Sequence, residues 1–249
     1  MTSSSPSVQL YTVREALQED LAGSLQRLAD AGFTQVEPFA FDQFDGLGDA
    51  LAAAGLSAPT THAHYLGEAP EAIAAVFDKA AVLGIQTVID PHVPADRWQS
   101  AESIDETAAQ LNEAAAIAAE RGVTVGYHNH AHELESEIDG RTALEYFADK
   151  LDPAVVLEVD TYWVVVGGHD PVALLKRLGD RVVALHIKDG PGTTETKDQV
   201  AVGSGSLPIA DIIAAAPGAL RVIELDDSRG DRFQAVIDSL DFLKAQGLA

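Results

Sequence analysis

The chain has 249 residues, 47% of them hydrophobic, which is close to the size of one closed α/β barrel and enough to bury a full core. With no Cys and one Met, disulfides, thiolate metal sites and thiol nucleophiles are excluded, so any metal must be held by His, Asp, Glu or water. The net charge of −23, from 39 acidic and 16 basic residues, repels phosphate backbones and argues against a nucleic-acid partner; most of it reads as solvated helix faces.

In chain order, the opening stretch MTSSSPSVQLYTV has neither a basic n-region nor an apolar h-region, and no apolar run approaches the ~18 residues of a membrane span. The expectation is a cytoplasmic protein with no membrane partner. Eight β-type runs follow, centred on Val8, Val36, Ala58, Val88, Val125, Leu157, Val183 and Ile223. Helical spacing of apolar residues predicts helices between them, over 16–31, 71–83, 104–121 and 233–244 among others. Strand and helix in alternation predict a parallel sheet, and eight repeats predict its closure into a single (β/α)8 TIM barrel domain spanning 1–249. Gly32, Gly55, Gly84 and Gly122 stand where each helix should turn into the next strand.

Seven of the runs end in residues of a functional type: Glu37, then His62 and His64, Asp90 with His92, His128 with Asn129 and His130, Asp160, His186 with Lys188, and Glu224. One such His alone would read as a packed or surface imidazole. The coincidence on seven strands predicts an active site at the barrel mouth, where all strand ends meet. Side-chain alternation puts Val156, Glu158 and Asp160 on the inner face of their strand and Val155, Leu157 and Val159 on the outer one. The same alternation turns Thr124, Gly126 and His128 inward.

His128, Asp160, His186 and Glu224 then form two imidazoles and two carboxylates on four consecutive strands, a set of O and N donors for one divalent metal: Mn2+ first, with Co2+, Mg2+ or Zn2+ as alternatives. Glu133, in the loop after His128, is the alternative fourth ligand, with His128 then binding substrate; His130, beyond the strand end, reads as a substrate contact or a support. The Gly-rich stretch DGPGTTETKDQVAVGSGSLP lies where many barrels bind phosphate, but it lacks Arg and sits in a negative field. It reads as a flexible lid, and the ligand as an uncharged sugar or polyol.

The segments VQLYTVRE, QVEPFAF, GYHNHAHELE, LEVDTYWVVVGGHDP, LHIKDG and VIELDDS with SLDFL resemble the sugar phosphate isomerase/epimerase family of xylose isomerase-like barrels, whose relatives include D-psicose 3-epimerase and inosose dehydratase. The resemblance runs over almost the whole chain and is most specific from Val155 to Asp189. It implies a divalent metal on Asp160, His186 and Glu224 and a sugar touching Glu37, His62, Trp163 and Lys188, with His64 beside His62. One departure stands out: the family's 3-epimerases carry a metal-bound Glu where this chain has His128.

The expected chemistry is that of a metal-dependent sugar isomerase or epimerase: a base removes the proton α to a carbonyl and an enediolate forms. Glu158 and Glu224 are the candidate carboxylate bases, with His128 or His130 available if free of metal. Loss of a β-hydroxyl from the same intermediate makes a lyase or hydratase acting on 3-keto sugars or inososes the alternative. A non-catalytic sugar-binding barrel is the alternative from another class. A homo-oligomer paired through outer helices is also expected.

Overall fold

The computed structural model describes residues 5–249; residues 1–4, the start of the opening stretch MTSSSPSVQLYTV, lie outside the described residues. β1 (Ser7–Val8) leads into α1 (Arg14–Glu19) and α2 (Leu21–Asp30), and α3 (Leu47–Ala54) precedes β2 (Thr60–His62). Then come α4 (Pro70–Val82), β3 (Thr87–Asp90), α5 (Ala101–Ala119) and β4 (Thr124–His128). An excursion follows, made of α6 (His132–Glu135), the hairpin β5 (Glu137–Ile138) and β6 (Arg141–Thr142), and α7 (Ala143–Lys150). β7 (Val156–Asp160), α8 (Thr161–Val166), α9 (Pro171–Leu178), β8 (Val182–Ile187), α10 (Ile209–Ala215), β9 (Leu220–Ile223) and α11 (Arg232–Ala245) complete the order.

Seven strands pair in parallel in the order β1-β9-β8-β7-β4-β3-β2. The eighth stave, 35–39, closes the ring: Gln9 bridges to Glu37 on one side, while Gln35 bridges to Ser57 and Phe39 to His62 on the other. It forms bridges rather than a continuous ladder because Pro38, in its middle, has no N–H to give. The Pro38 carbonyl still accepts from His62 N and from Thr61 Oγ1, both at 2.8 Å. Directly after Phe39 the chain turns sharply through Ala40, whose φ is 41°.

Periodicity predicts one helix over 16–31, and the structure divides it. Asp20 takes extended angles (φ −152°, ψ 92°) and its side chain accepts from Gly23 N, so it caps a second helix instead of continuing the first. The run centred on Ala58 becomes a strand slightly later, at Thr60–His62.

The outer faces of the strands pack against the helices. Val155, Leu157 and Val159 are buried there, and Tyr127 meets Trp98 and Phe147 at ring-centroid distances of 5.3 and 5.4 Å. Inside the barrel the packing at Gly126 is close: a Cβ would lie 3.1 Å from both Val156 Cγ2 and Val156 O and 3.3 Å from Ile89 Cγ1. Glycine here leaves room for the side chains stacked above it. Among the described residues, no helix is long and apolar enough to cross a membrane.

Candidate active site

Strand register assembles the mouth. His128 lies opposite Glu158, and Asp160 opposite His186. Asn129 is the strut between β4 and β7: its Oδ1 accepts Asp160 N at 3.0 Å. Asp160 also caps α8, its Oδ1 accepting Trp163 N at 3.0 Å, and Thr161 Oγ1 donates to His186 O at 3.1 Å. The side chain of Asp160 is thus held in place before any ligand arrives.

Two groups of donors meet at His186. Toward the mouth, Asp160, His186 and Glu224 each offer an atom within 4.8 Å of the others. His186 Nδ1 is 2.6 Å from Glu224 Oε2, and His128 Nε2 comes within 3.7 Å of Asp160 Oδ2. Lys188, buried beside them, puts its Nζ at 2.8 Å from each of Asp160, Glu224 and Asp226. Deeper in the barrel, Glu158 Oε1 faces His62 Nε2 and His186 Nε2, while Glu37 Oε1 accepts from Gln9 Nε2 and lies 2.7 Å from His186 Nε2. Thr60 Oγ1 donates to the second oxygen of Glu37.

The electrostatics follow from burial and from these neighbours. Burial lifts Asp160 to about 6, with Lys188 pulling the other way. Burial also raises Glu37, and the charge of Glu158 adds to it. At Glu224 burial is outweighed by Lys188 and His186, which hold the carboxyl well below its ordinary value. Burial would likewise lower His186, but Glu158 and Glu224 overcome it and raise the imidazole well above 6.5. His128 goes well below the ordinary range, chiefly through burial, and burial takes His130 down to about 4. Both imidazoles are therefore neutral near pH 7, with lone pairs to offer.

The donor chemistry fits a cation. Asp160, Glu224 and Asp226 bring three carboxyl groups around one ammonium, Lys188, while Glu37 and Glu158 close on the imidazoles of His62 and His186, so the donors that converge are hard oxygens and imidazole nitrogens.

Above the donors opens a cavity of about 640 Å³, lined among others by His62, His64, His128, His130, Trp163 and Glu224. His130 Nδ1 and Trp163 Nε1 are buried without a hydrogen-bond partner among the described residues. Glu37, Glu158, Asp160, His186 and Lys188 are buried and lie outside that lining. Glu133 turns away from the donors: its Oε1 accepts Tyr127 Oη at 2.6 Å and its Oε2 accepts His130 N at 2.9 Å. Asp90 is likewise spent, accepting the N–H groups of Tyr65, Leu66 and His92. The Gly-rich loop after β8 is anchored rather than free. The buried Asp189 carboxylate accepts N–H bonds from Gly190, Gly203, Gly205 and Leu207 at 2.8–3.1 Å.

A profile of the xylose isomerase-like TIM barrel matches residues 25–246. The chain belongs to that family. Among solved structures, a sugar phosphate isomerase/epimerase from Parabacteroides distasonis ATCC 8503 superposes with a TM-score of 0.83 at 24% identity, covering 100% of this chain and 96% of that one. An IOLI protein with a bound zinc atom gives 0.75 at 14% identity, covering 98% of each chain. An L-ribulose 3-epimerase gives 0.71 at 17%, covering 98% of this chain and 94% of that one. These are likenesses of fold. Among curated relatives, an inosose dehydratase from Geobacillus kaustophilus (strain HTA426) is 36% identical over 80 residues, or 32% of this chain and 25% of that protein. One from Bacillus anthracis (strain CDC 684 / NRRL 3495) is 32% identical over 89 residues, or 35% of this chain and 29% of that protein. The matched segment spans only 25–29% of these relatives.

The structure adds residues that strand-end reading missed. Asp226 completes the cage of Lys188, and Gln199 orients it, donating to its Oδ2 and accepting its N–H, both at 2.7 Å. The signal for Asp226 was present: it stands two residues beyond Glu224 and so continues the inward face.

Proposed function

We propose that this chain is a divalent-metal-dependent sugar isomerase or epimerase that removes a proton α to a carbonyl. The observation that carries this reading is the convergence of Asp160, His186 and Glu224 directly beneath a cavity that Glu224 itself lines. Asp160, His186 and Glu224 would hold the metal, with His128 as the neighbouring fourth donor, and a divalent ion there supplies Lewis acidity to a carbonyl and its adjacent hydroxyl.

The chain's own groups do the rest. Glu224 is kept ionised by Lys188 and His186, and one of its oxygens is committed to them, so the other is the base available to the cavity. Trp163 Nε1 and His130 Nδ1, one donor and one acceptor, match sugar hydroxyls. Glu158 sits below the cavity lining, which favours Glu224 over it as the base. The amides after β8 that would face a phosphate are taken by Asp189, which supports an unphosphorylated sugar or polyol.

A second reading, a dehydratase acting on inososes or 3-keto sugars, draws on the stretch of likeness to inosose dehydratases and on His128, which leaves the rim one carboxylate base short of a symmetric pair. The test is incubation of ketoses, inososes and 3-keto glycosides with metal-loaded enzyme in D2O. Deuterium at the carbon α to the carbonyl, with an isomer or epimer as product, is the expected result, and an unsaturated product selects the dehydratase reading. Absence of exchange from every compound, with sugar binding intact, would leave a sugar-binding barrel.

A further inference from the structure

The two ring nitrogens of His186 serve opposite sides. Nδ1 faces Glu224 at 2.6 Å, whereas Nε2 faces inward, 2.7 Å from Glu37 Oε1 and 3.0 Å from Glu158 Oε1. On that inner side, His62, His128, Glu158 and His186 each offer a ligand atom within 4.8 Å of every other. Glu158 Oε1 is the hub, 2.5 Å from His62 Nε2, 3.1 Å from His128 Nδ1 and 3.0 Å from His186 Nε2. Two of these separations approach the edge of about 3.3 Å expected between donors of a tetrahedral ion with bonds of about 2.0–2.1 Å.

A second observation points the same way. Glu158 Oε2 is fully buried and has no hydrogen-bond partner among the described residues, a costly arrangement for a carboxylate oxygen.

We propose that His62, His128, Glu158 and His186 form a second cation site, distinct from the Asp160–His186–Glu224 set and joined to it through the His186 ring. Three imidazoles and one carboxylate favour Zn2+ or Co2+ over Mg2+. Because His62 and His128 line the cavity, the ion enters from the mouth. Holding an ion on each nitrogen requires His186 to release both ring protons to solvent, and the imidazolate so formed lies between two dications that compensate its charge. Glu158 is then an ion ligand and not a proton carrier. The inference shares His186 and the neighbouring donor His128 with the proposed function, and a count of bound metal judges it separately from turnover.

The experiment uses the full chain, stripped with chelator, titrated with Zn2+ or Co2+, freed of loose metal by gel filtration and analysed for bound metal. Wild type should hold two equivalents. His62→Ala and Glu158→Gln should each hold one, and Asp160→Asn should also hold one, retained in the inner set. With Co2+, the intense visible absorption of the four-coordinate inner site should be present in wild type and in Asp160→Asn and reduced in His62→Ala. Should Glu158→Gln fail to fold, His62→Ala, altered at the cavity wall, decides alone. One equivalent in wild type, or a His62→Ala protein with the metal content and Co2+ spectrum of wild type, overturns the proposal. Two equivalents without deuterium exchange would leave the site standing and remove the isomerase reading.

Discussion

Glu133 and His128 show how a few torsions separate two residues that sequence spacing left as equivalent candidates. Glu133 is folded back onto Tyr127 and His130 N, whereas His128 lies between Glu158 and Asp160. Glu133→Gln should therefore keep metal affinity close to wild type, and His128→Ala should lose tenfold or more, as read by calorimetric titration of the stripped proteins. Metal loss in Glu133→Gln alone would reverse the assignment. Asp160 gives a pH signature. Its folded value of about 6 lies above the ordinary 3.8, so the folded chain keeps a proton that the unfolded chain has released. In the metal-free protein this contribution is fully favourable below the unfolded value and is lost as pH rises through about 6. Denaturant titrations should show Asp160→Asn gaining stability relative to wild type as pH rises across that window; a constant difference would refute the shift. The convergence of Asp160, His186 and Glu224 was legible because each apolar run ends in one of them. The partnership of Gln9 with Glu37 was not, since it exists only once two staves 28 residues apart are neighbours.

At the scale of elements, loops were harder to read than strands. The stretch after β8 reads as a lid because its glycines and polar residues carry no periodicity, yet one buried carboxylate, Asp189, organises it. Asp189→Ala leaves four N–H groups without their acceptor and should cost at least ~2 kcal/mol, with faster protease cleavage within 190–207. Unchanged cleavage would mean that the loop is held by something else. The hairpin of β5 and β6 was also in the sequence, as an Asp-Gly pair: Asp139 and Gly140 both take positive φ, 53° and 74°, the turn that joins two short strands. Two-residue strands carry too little alternation to announce themselves. The break at Asp20 was missed for a different reason, because the apolar stripe continues through it and only the capping bond to Gly23 reveals the second helix.

For the molecule as a whole, the eightfold alternation carried the architecture, since every expected run became a stave or abuts one. Helix lengths and the excursion after β4 depend on capping and turn geometry that hydrophobic period does not encode. Among the described residues the large apolar side chains that remain exposed are Tyr11 and Val82, so the surface is governed by its charge of −23. Self-repulsion of that size is screened as the Debye length falls from ~30 Å at 0.01 M to ~8 Å at 0.15 M salt. The melting temperature should rise by several degrees between those conditions in NaCl, by calorimetry, and a flat response would mean that bound cations already neutralise the surface. The stave at 35–39 bears on how the molecule moves in time. It carries Glu37 on a wall fastened by scattered bridges around a proline, while β1 and β2 on either side of it pair in ladders with β9 and β3. Breathing of the barrel should begin along that seam, its amides exchanging ahead of those in β7 and β8. Each opening would lend water a back entrance to His186, a path for protons separate from the mouth of the barrel.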